Sequence, residues 1–192
     1  MSFSEKERIN HLIRKKLQEI PKRRISEGIN GKAGVLISLI YRNDNPHFLL
    51  TRRTNTVATH KGQISFPGGM MEGIDATLLK TALRETEEEI GVDSNRIEIL
   101  GEFHDYLAIT DNLVRPYAGV IPEESEFQPN RKEVAYLLEI PVAFFAETNP
   151  VVKQREVRGV THDVYYYDYN GDTVWGLTAR IIRDFIDSCG LD

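Results

Sequence analysis

Two hydrophobic rhythms divide the chain. Ile9, Leu12, Ile13, Leu17 and Ile20 recur at steps of three and four, the spacing of one helix face, which predicts a helix over residues 4–20. Ser4 and Glu7 form a capping box at its start, and Pro21, with no N–H to give, closes it. Ala33 to Tyr41 is almost unbroken apolar sequence, and Phe48-Leu49-Leu50-Thr51 follows a turn signal at Asn43-Asp44-Asn45-Pro46. Together they predict a hairpin. The helical rhythm returns over residues 75–90, where Leu79, Ala82, Leu83, Thr86 and Ile90 share one arc. Asp75 is the expected N-cap of that helix, and Gly91 its left-handed stop.

The rest of the chain reads mostly as strands. Arg96 to Phe103 alternates apolar and polar positions. Val114 to Ile121 is a further strand, with Pro116 arguing for a sheet edge or a bulge. Val134 to Ile140 is short and apolar. Val164 to Tyr169 and Thr173 to Trp175 flank Asn170-Gly171, a hairpin turn. Leu177 to Cys189 closes the chain as a helix with Ile181, Ile182, Phe185 and Ile186 facing inward and Gly190 as its stop. Strands and helices interleave, and several neighbouring strands read as antiparallel. The expected class is therefore α/β, a mixed sheet clasped between helices. One domain over residues 1–192 suffices, with residues 1–30 as an N-terminal helical extension.

Chemistry enters on the other arc of the 75–90 helix. Glu85, Glu88 and Glu89 stand at i, i+3 and i+4, which share a face. Clustered carboxylates raise one another's pKa unless a cation is present, and oxygen-only ligands suit Mg²⁺, Mn²⁺ and Ca²⁺. Arg84 beside them is able to orient a carboxylate through a two-pronged hydrogen bond. On spacing alone, a solvated acidic stripe accounts for these residues equally well. The preceding segment shifts the balance. Phe66-Pro67-Gly68-Gly69 ends in two glycines that permit close approach of backbone to a ligand. A loop of this kind before a helix brings backbone groups and metal-bound oxygens to one polyphosphate.

This order of residues strongly resembles the Nudix box, G-x5-E-x7-R-E-U-x-E-E-x-G-U with U aliphatic. Arg84, Glu85, Glu88, Glu89, Gly91 and Val92 match its second half, with Thr86 in the aliphatic position. In the first half Gly69 is followed by Asp75 in place of Glu, and the gap to Arg84 is one residue longer. That variant resembles the coenzyme A diphosphatase branch. A second signature upstream is similar to that branch's motif LLTxR(S/A)-x3-R-x3-G-x3-FPGG. Leu49, Leu50, Thr51, Arg53, Gly62 and Phe66 through Gly69 match, Thr54 replaces Ser or Ala, and Ala58 stands where the motif has Arg. A lost arginine of that kind removes a charge-assisted contact worth roughly 1.5–3 kcal/mol. Arg52, Arg53, His60 and Lys61 are the nearby cations available to replace it.

The resemblance implies an α-β-α sandwich and a Mg²⁺- or Mn²⁺-dependent diphosphohydrolase. Glu85, Glu88 and Glu89 become the expected metal ligands, with the Gly69 backbone beside them and Arg84 orienting Glu85. Glu133, just before the Val134 strand, is the expected extra carboxylate, and the proton-accepting base is either Glu88 or Glu133. Arg53, Arg52, Lys61 and Gly68 are the expected substrate contacts. Coenzyme A and its thioesters lead as substrates, split to 4′-phosphopantetheine and adenosine 3′,5′-bisphosphate. Nucleotide sugars, ADP-ribose and nucleoside triphosphates remain alternatives because of Ala58. A non-catalytic nucleotide-binding module is the other class, and it predicts loss of box carboxylates that are all present here. The resemblance also implies a homodimer.

Composition bounds this picture without changing it. The chain has 192 residues, enough for one ordinary domain, and 41% of them are hydrophobic, as in soluble globular proteins. A net charge of −5 argues against nucleic-acid binding through overall charge. No stretch has the length and apolarity of a membrane span, and Met1 to Glu7 lacks the apolar core of a secretion signal. Cys189 is the single cysteine, which excludes an internal disulfide and a cysteine-based metal site. A cytoplasmic protein is expected. The basic runs Arg14-Lys15-Lys16 and Lys22-Arg23-Arg24 read as a wet helix face and a solvated linker. Tyr165, Tyr166, Tyr167 and Trp175 read as packing.

Overall fold

Asn43 and Asp44 both adopt positive φ, 50° and 62°, as a two-residue hairpin turn requires. They return β1 (Gly31–Arg42) antiparallel into β2 (Asn45–Arg53). The computed structural model describes residues 4–55, 61–157 and 159–191. Ala58 and His60 lie outside the described residues. Among the described residues, eight strands join one mixed sheet built around β1. On one side β1 pairs with β2 and with β4 (Gly68–Met70). On the other it pairs in parallel with β7 (Asn112–Val120). β3 (Ile64–Ser65) and β8 (Val134–Pro141) pair with β2, and β5 (Glu98–Glu102) and β6 (Tyr106–Leu107) pair with β7.

Successive residues of a strand point to opposite faces, and β1 uses both. Ile37, Leu39 and Tyr41 join Phe48 and Leu50 of β2 against Ile13 and Leu17 of α1 (Glu5–Glu19) and Ile182, Phe185 and Ile186 of α4 (Gly176–Cys189). Leu36, Ile40 and Leu49 join Ile90 and Val92 on the opposite face, at the end of α2 (Leu78–Ile90). Leu78 and Ala82 of α2 pack there on Leu113 and Tyr117 of β7. The sheet therefore lies between helices, as the sequence pattern predicts. At Gly34 a Cβ would collide with the Leu78 carbonyl and stand 2.9 Å from the Ala82 nitrogen. The missing side chain lets α2 rest its backbone directly on β1.

α1 carries the expected capping box, with Ser4 and Glu7 each accepting from the other's backbone N–H. α2 begins later than residue 75. Thr77 is its N-cap and accepts from Lys80 N at 3.2 Å, while Asp75 is used elsewhere. Pro116 is not at a sheet edge, because β7 is flanked on both sides. It falls between the part of β7 paired with β6 (Leu113–Val114) and the part paired with β5 (Tyr117–Val120). There the missing N–H breaks no ladder bond on the outer side, and the Pro116 carbonyl still accepts from Phe103 N at 2.8 Å. The irregular register lies in β5, between Ile99 and Gly101.

A second, three-stranded antiparallel sheet is formed by β9 (Val151–Val157), β10 (Val160–Tyr169) and β11 (Asp172–Trp175), with Asn170 and Gly171 turning the last pair. Tyr167 is buried against Phe145 of α3 (Val142–Glu147), and Tyr166 stacks on Trp175, so these aromatics serve packing. Lys22, Arg23 and Arg24 are not a free linker. Lys22 donates to the Leu17 carbonyl, Arg23 pairs with Asp184, and Arg24 pairs with Glu102 and Asp105. No helix among the described residues is long and apolar enough to cross a membrane.

Candidate functional site

The site is assembled where β4, the end of β2 and α2 meet. The Gly68 and Gly69 backbone pairs with Val35 and Gly34 of β1, which fixes the loop beneath α2. A Cβ on Gly69 would lie 2.5 and 2.6 Å from the two Glu85 carboxylate oxygens. Glycine at 69 therefore brings a carboxylate to bare backbone. The loop carrying Glu133 hangs on the end of the same helix. Asn130 N donates to the Glu89 carbonyl, Gln128 N to the Ile90 carbonyl, and Thr54 N, at the end of β2, to the Glu133 carbonyl.

Arg84 is the hub of the outer half. Its guanidinium forks onto Asp75 at 3.1 and 3.0 Å and contacts Glu85 and Glu88 at 3.0 Å each. Asp75 also accepts from Glu72 N and the Thr81 hydroxyl. The Arg84 bonds hold its carboxyl down at about 2, against the opposing effect of burial, with help from those two donors. So Asp75, expected as a helix cap, instead anchors the arginine that orients Glu85. Sequence reading had the signal, an Asp nine residues before Arg84, but gave it a local partner.

Glu89 forms the inner half. It is 3% exposed, and its Oε2 has no hydrogen-bond partner. Arg53 Nη1 stands 3.5 Å from its other oxygen, and Arg53 Nε is likewise buried and partnerless. Burial pushes the Glu89 carboxyl up to about 8. Arg53 and the Gly68 backbone work against that rise, while the charges of Glu85 and Glu133 add to it. Glu85 is also raised, first by burial, with Arg84 opposing and Glu88 and Glu133 adding. Glu133 therefore acts by charge on both Glu85 and Glu89, and Glu85 on Glu89. Glu88 is more than half exposed and turns to Arg84.

Two expectations change in this geometry. Among the described residues no three His, Cys, Asp or Glu side chains converge as a ready metal shell. Glu85 is drawn toward Arg84 and Glu89 toward Arg53, so the one-face spacing of Glu85, Glu88 and Glu89 does not gather their oxygens. Arg52, expected at substrate, is held by Asp172, which also accepts from the Tyr136 hydroxyl at 2.7 Å. It ties β2 to β11. Arg53 points into the carboxylate site. Lys61 is exposed at the start of the described segment, and Gly68 is in the loop beside Glu89.

The donor set nevertheless fits a divalent cation. It offers carboxylate oxygens only, one of them buried without a partner, beside a backbone stripped of side chain, and mutual repulsion that a cation would relieve. Glu85, Glu89 and the Gly69 backbone are the groups suited to hold it, with Glu133 and Glu88 within electrical reach of Glu85.

Comparison with known proteins points the same way. A family model described as NUDIX domain matches residues 32–162. The chain is 36% identical over 164 residues to a protein named uncharacterized Nudix hydrolase NudL from Photorhabdus laumondii, covering 85% of this chain and 87% of that one. It is 38% identical over 152 residues to the protein of the same name from Yersinia enterocolitica, covering 79% and 77%. Among solved structures, a MutT/nudix family protein from Enterococcus faecalis superposes with a TM-score of 0.51 at 15% identity, covering 97% of this chain and 74% of that one. A C. elegans Ap4A hydrolase complex superposes at 0.50 and 15% identity, covering 58% and 80%. At such identity these two report the fold.

Proposed function

The chain belongs to the Nudix family of phosphoanhydride hydrolases, and we propose that it cleaves the diphosphate of coenzyme A or its thioesters, releasing 4′-phosphopantetheine or its acyl form and adenosine 3′,5′-bisphosphate. The observation that carries the proposal is the way two sequence signatures meet in space. The upstream stretch Leu49-Leu50-Thr51-Arg52-Arg53 runs along β2 and delivers Arg53 to Glu89 of the box helix. The shared segment Phe66-Pro67-Gly68-Gly69 lies against Glu85 of that helix.

Family members use divalent metal ions, and Mg²⁺ or Mn²⁺ is proposed for this chain. Bound there, the ion would neutralise phosphate charge and lower the pKa of an attacking water. Glu85 and Glu89 are assigned to hold it with the Gly69 backbone, and Glu88 to flank it. Arg84, locked on Asp75, orients Glu85. Glu133 is assigned as the group that takes the proton from water. Its loop is fixed to both α2 and β2, and its charge is felt at Glu85 and Glu89. Glu88 stands as the second candidate for that role. Gly68, Arg53 and Lys61 are assigned to the substrate's phosphates.

One observation keeps a broader substrate range alive. Arg52 is committed to Asp172, and Ala58 stands where the branch motif has a cation. That leaves fewer charges for the 3′-phosphate of coenzyme A and admits nucleotide sugars, ADP-ribose or nucleoside triphosphates. The test is a panel of these compounds with Mg²⁺ and with Mn²⁺, products resolved by chromatography. Coenzyme A or a thioester is expected to lead in kcat/KM by more than about tenfold, about 1.4 kcal/mol of transition-state discrimination. Equal rates across the panel would remove the coenzyme A assignment, and no product from any compound would favour a binding module.

A further inference from the structure

Among the described residues three carboxylates are buried, each facing an arginine, and their geometries differ. Asp75 meets Arg84 in a fork of 3.1 and 3.0 Å, and Asp105 meets Arg115 in a fork of 2.6 and 2.9 Å. Both have further donors, Glu72 N and the Thr81 hydroxyl on Asp75, Ile25 N and Arg24 on Asp105. Every oxygen is satisfied, the arrangement that makes an Arg–carboxylate pair strong. The Arg53–Glu89 pair is unlike either. It rests on one contact of 3.5 Å, at the outer limit of a hydrogen bond. Arg53 Nε and Glu89 Oε2 are both buried and both unpartnered.

An arginine in fixed position offers Nε and a terminal nitrogen as a matched pair of donors. Here the donor that would complete the fork is left over, and so is the acceptor. The cost of two unsatisfied buried groups makes this charge pair a poor resting arrangement and an easy one to exchange. A ligand able to satisfy Glu89 more fully would release Arg53 at little expense. Glu85 and Glu133 stand near enough for their charges to act on Glu89, whose Oε2 has no partner. The ligand that suits such a setting is a divalent cation.

Resting on the metal assignment above, we propose that Arg53 is a displaceable counter-ion. It holds Glu89 in the metal-free protein, competes with the incoming cation for that carboxylate, and is freed when the cation binds. This makes Arg53 a positioning residue of the metal site before it is a contact for phosphate.

The test uses the full chain without substrate. Mn²⁺ uptake is followed by electron paramagnetic resonance, and Tm is measured in chelator and in saturating Mn²⁺, for wild type, R53M, R53K and E89Q. R53M is expected to bind Mn²⁺ about tenfold tighter, the scale of removing one like charge from a partly screened site. It is also expected to melt lower than wild type in chelator and level with it in Mn²⁺, while R53K stays near wild-type affinity. Binding no tighter than wild type, with the same loss of Tm in both conditions, would make Arg53 a fixed brace and overturn the inference alone. A wild type that takes up no Mn²⁺, or takes it up as well as E89Q does, would overturn the metal assignment and the inference with it. If R53M does not fold, the Arg53 Nε–H resonance of ¹⁵N-labelled wild type, assigned by its loss in R53K, carries the decision. It must move with Mg²⁺ at the midpoint of metal binding, and a resonance indifferent to Mg²⁺ overturns the inference.

Discussion

Asp105 and Glu89 are buried alike, each 3% exposed, and each faces an arginine. Asp105 joins distant parts of the chain. It takes Arg115 of β7, Arg24 and the Ile25 backbone, and so clamps the segment after α1 onto the sheet. Burial alone would raise its carboxyl, yet the donors from Arg115 and Ile25 leave it below the ordinary range. Glu89 has the opposite balance. Burial exceeds what Arg53 and Gly68 return, and the carboxyl rises to about 8. Equal loss of solvent contact thus accompanies a closed joint in one place and a raised carboxyl in the other: Glu89 lies deeper in the protein than Asp105 and receives fewer donors.

The sharpest separation is expected from substituting each acid. On the proposed metal assignment, Glu89→Gln removes a charge that the reaction uses and the fold does not. Turnover should fall on the order of 100- to 1000-fold, the equivalent of roughly 3–4 kcal/mol in the transition state. The metal-free protein should melt no lower than wild type. Asp105→Ala should do the reverse. Taking the fork from Arg115 and the acceptor from Ile25 N, while Arg24 keeps Glu102, is expected to cost about 3–5 kcal/mol of stability, measured by denaturant unfolding, with kcat per folded molecule unchanged. A large rate loss in Asp105→Ala, or a large stability loss in Glu89→Gln, would dissolve the distinction.

The two kinds of pair should also bend stability with pH in opposite senses. Asp75, at about 2 when folded against an ordinary 3.8, contributes stability that is present above about pH 4 and lost as pH falls toward 2. Glu89, at about 8 against an ordinary 4.5, contributes stability that is present below about pH 4.5 and lost as pH rises through 8. In chelator, Asp75→Asn is expected to erase the acid-side slope and Glu89→Gln the neutral-side slope. Unfolding midpoints taken across this range check both, and saturating Mn²⁺ should flatten the second.

Much of this frame is legible in sequence because its causes are local. The Ser4–Glu7 box, the Asn170-Gly171 turn, the glycine stops and the apolar arcs of α2 and α4 need only near neighbours. What escaped depends on distance. Arg52 and Arg53 are adjacent and look equivalent, yet one turns to Asp172 and the other to Glu89, because alternate strand residues face opposite ways. β9 gave no signal because six of its seven residues are exposed, so burial left no alternation to read. Glu85, Glu88 and Glu89 share a helix face, but arginines outside that pattern decide where their oxygens point.

Gly69→Ala probes the carboxylate side at smaller scale. The new methyl would meet the Glu85 carboxylate, the mobile end of a side chain, so stability should change by less than about 1 kcal/mol. Glu85 must swing aside, and Mn²⁺ affinity and kcat are each expected to fall about tenfold, within the range of disturbed ligand positioning. Equal affinity in mutant and wild type would separate Glu85 from the metal assignment.

The smallest effect belongs to the start of α2, where Asp75 and Thr77 have divided the work that a single acidic cap was expected to do. Thr77 accepts from Lys80 N and begins the helix, and Asp75 is thereby left to lock Arg84. Thr77→Ala should cost about 1 kcal/mol, the usual loss of an N-cap side chain, and leave kcat unchanged because the Asp75–Arg84 fork survives. Asp75→Asn leaves the cap intact and removes the charge facing Arg84, so it should lower kcat by loosening Glu85. If Thr77→Ala impaired kcat as strongly as Asp75→Asn, the first turn of α2 and the orientation of Glu85 would be one unit, and the division of labour read from these bonds would fail.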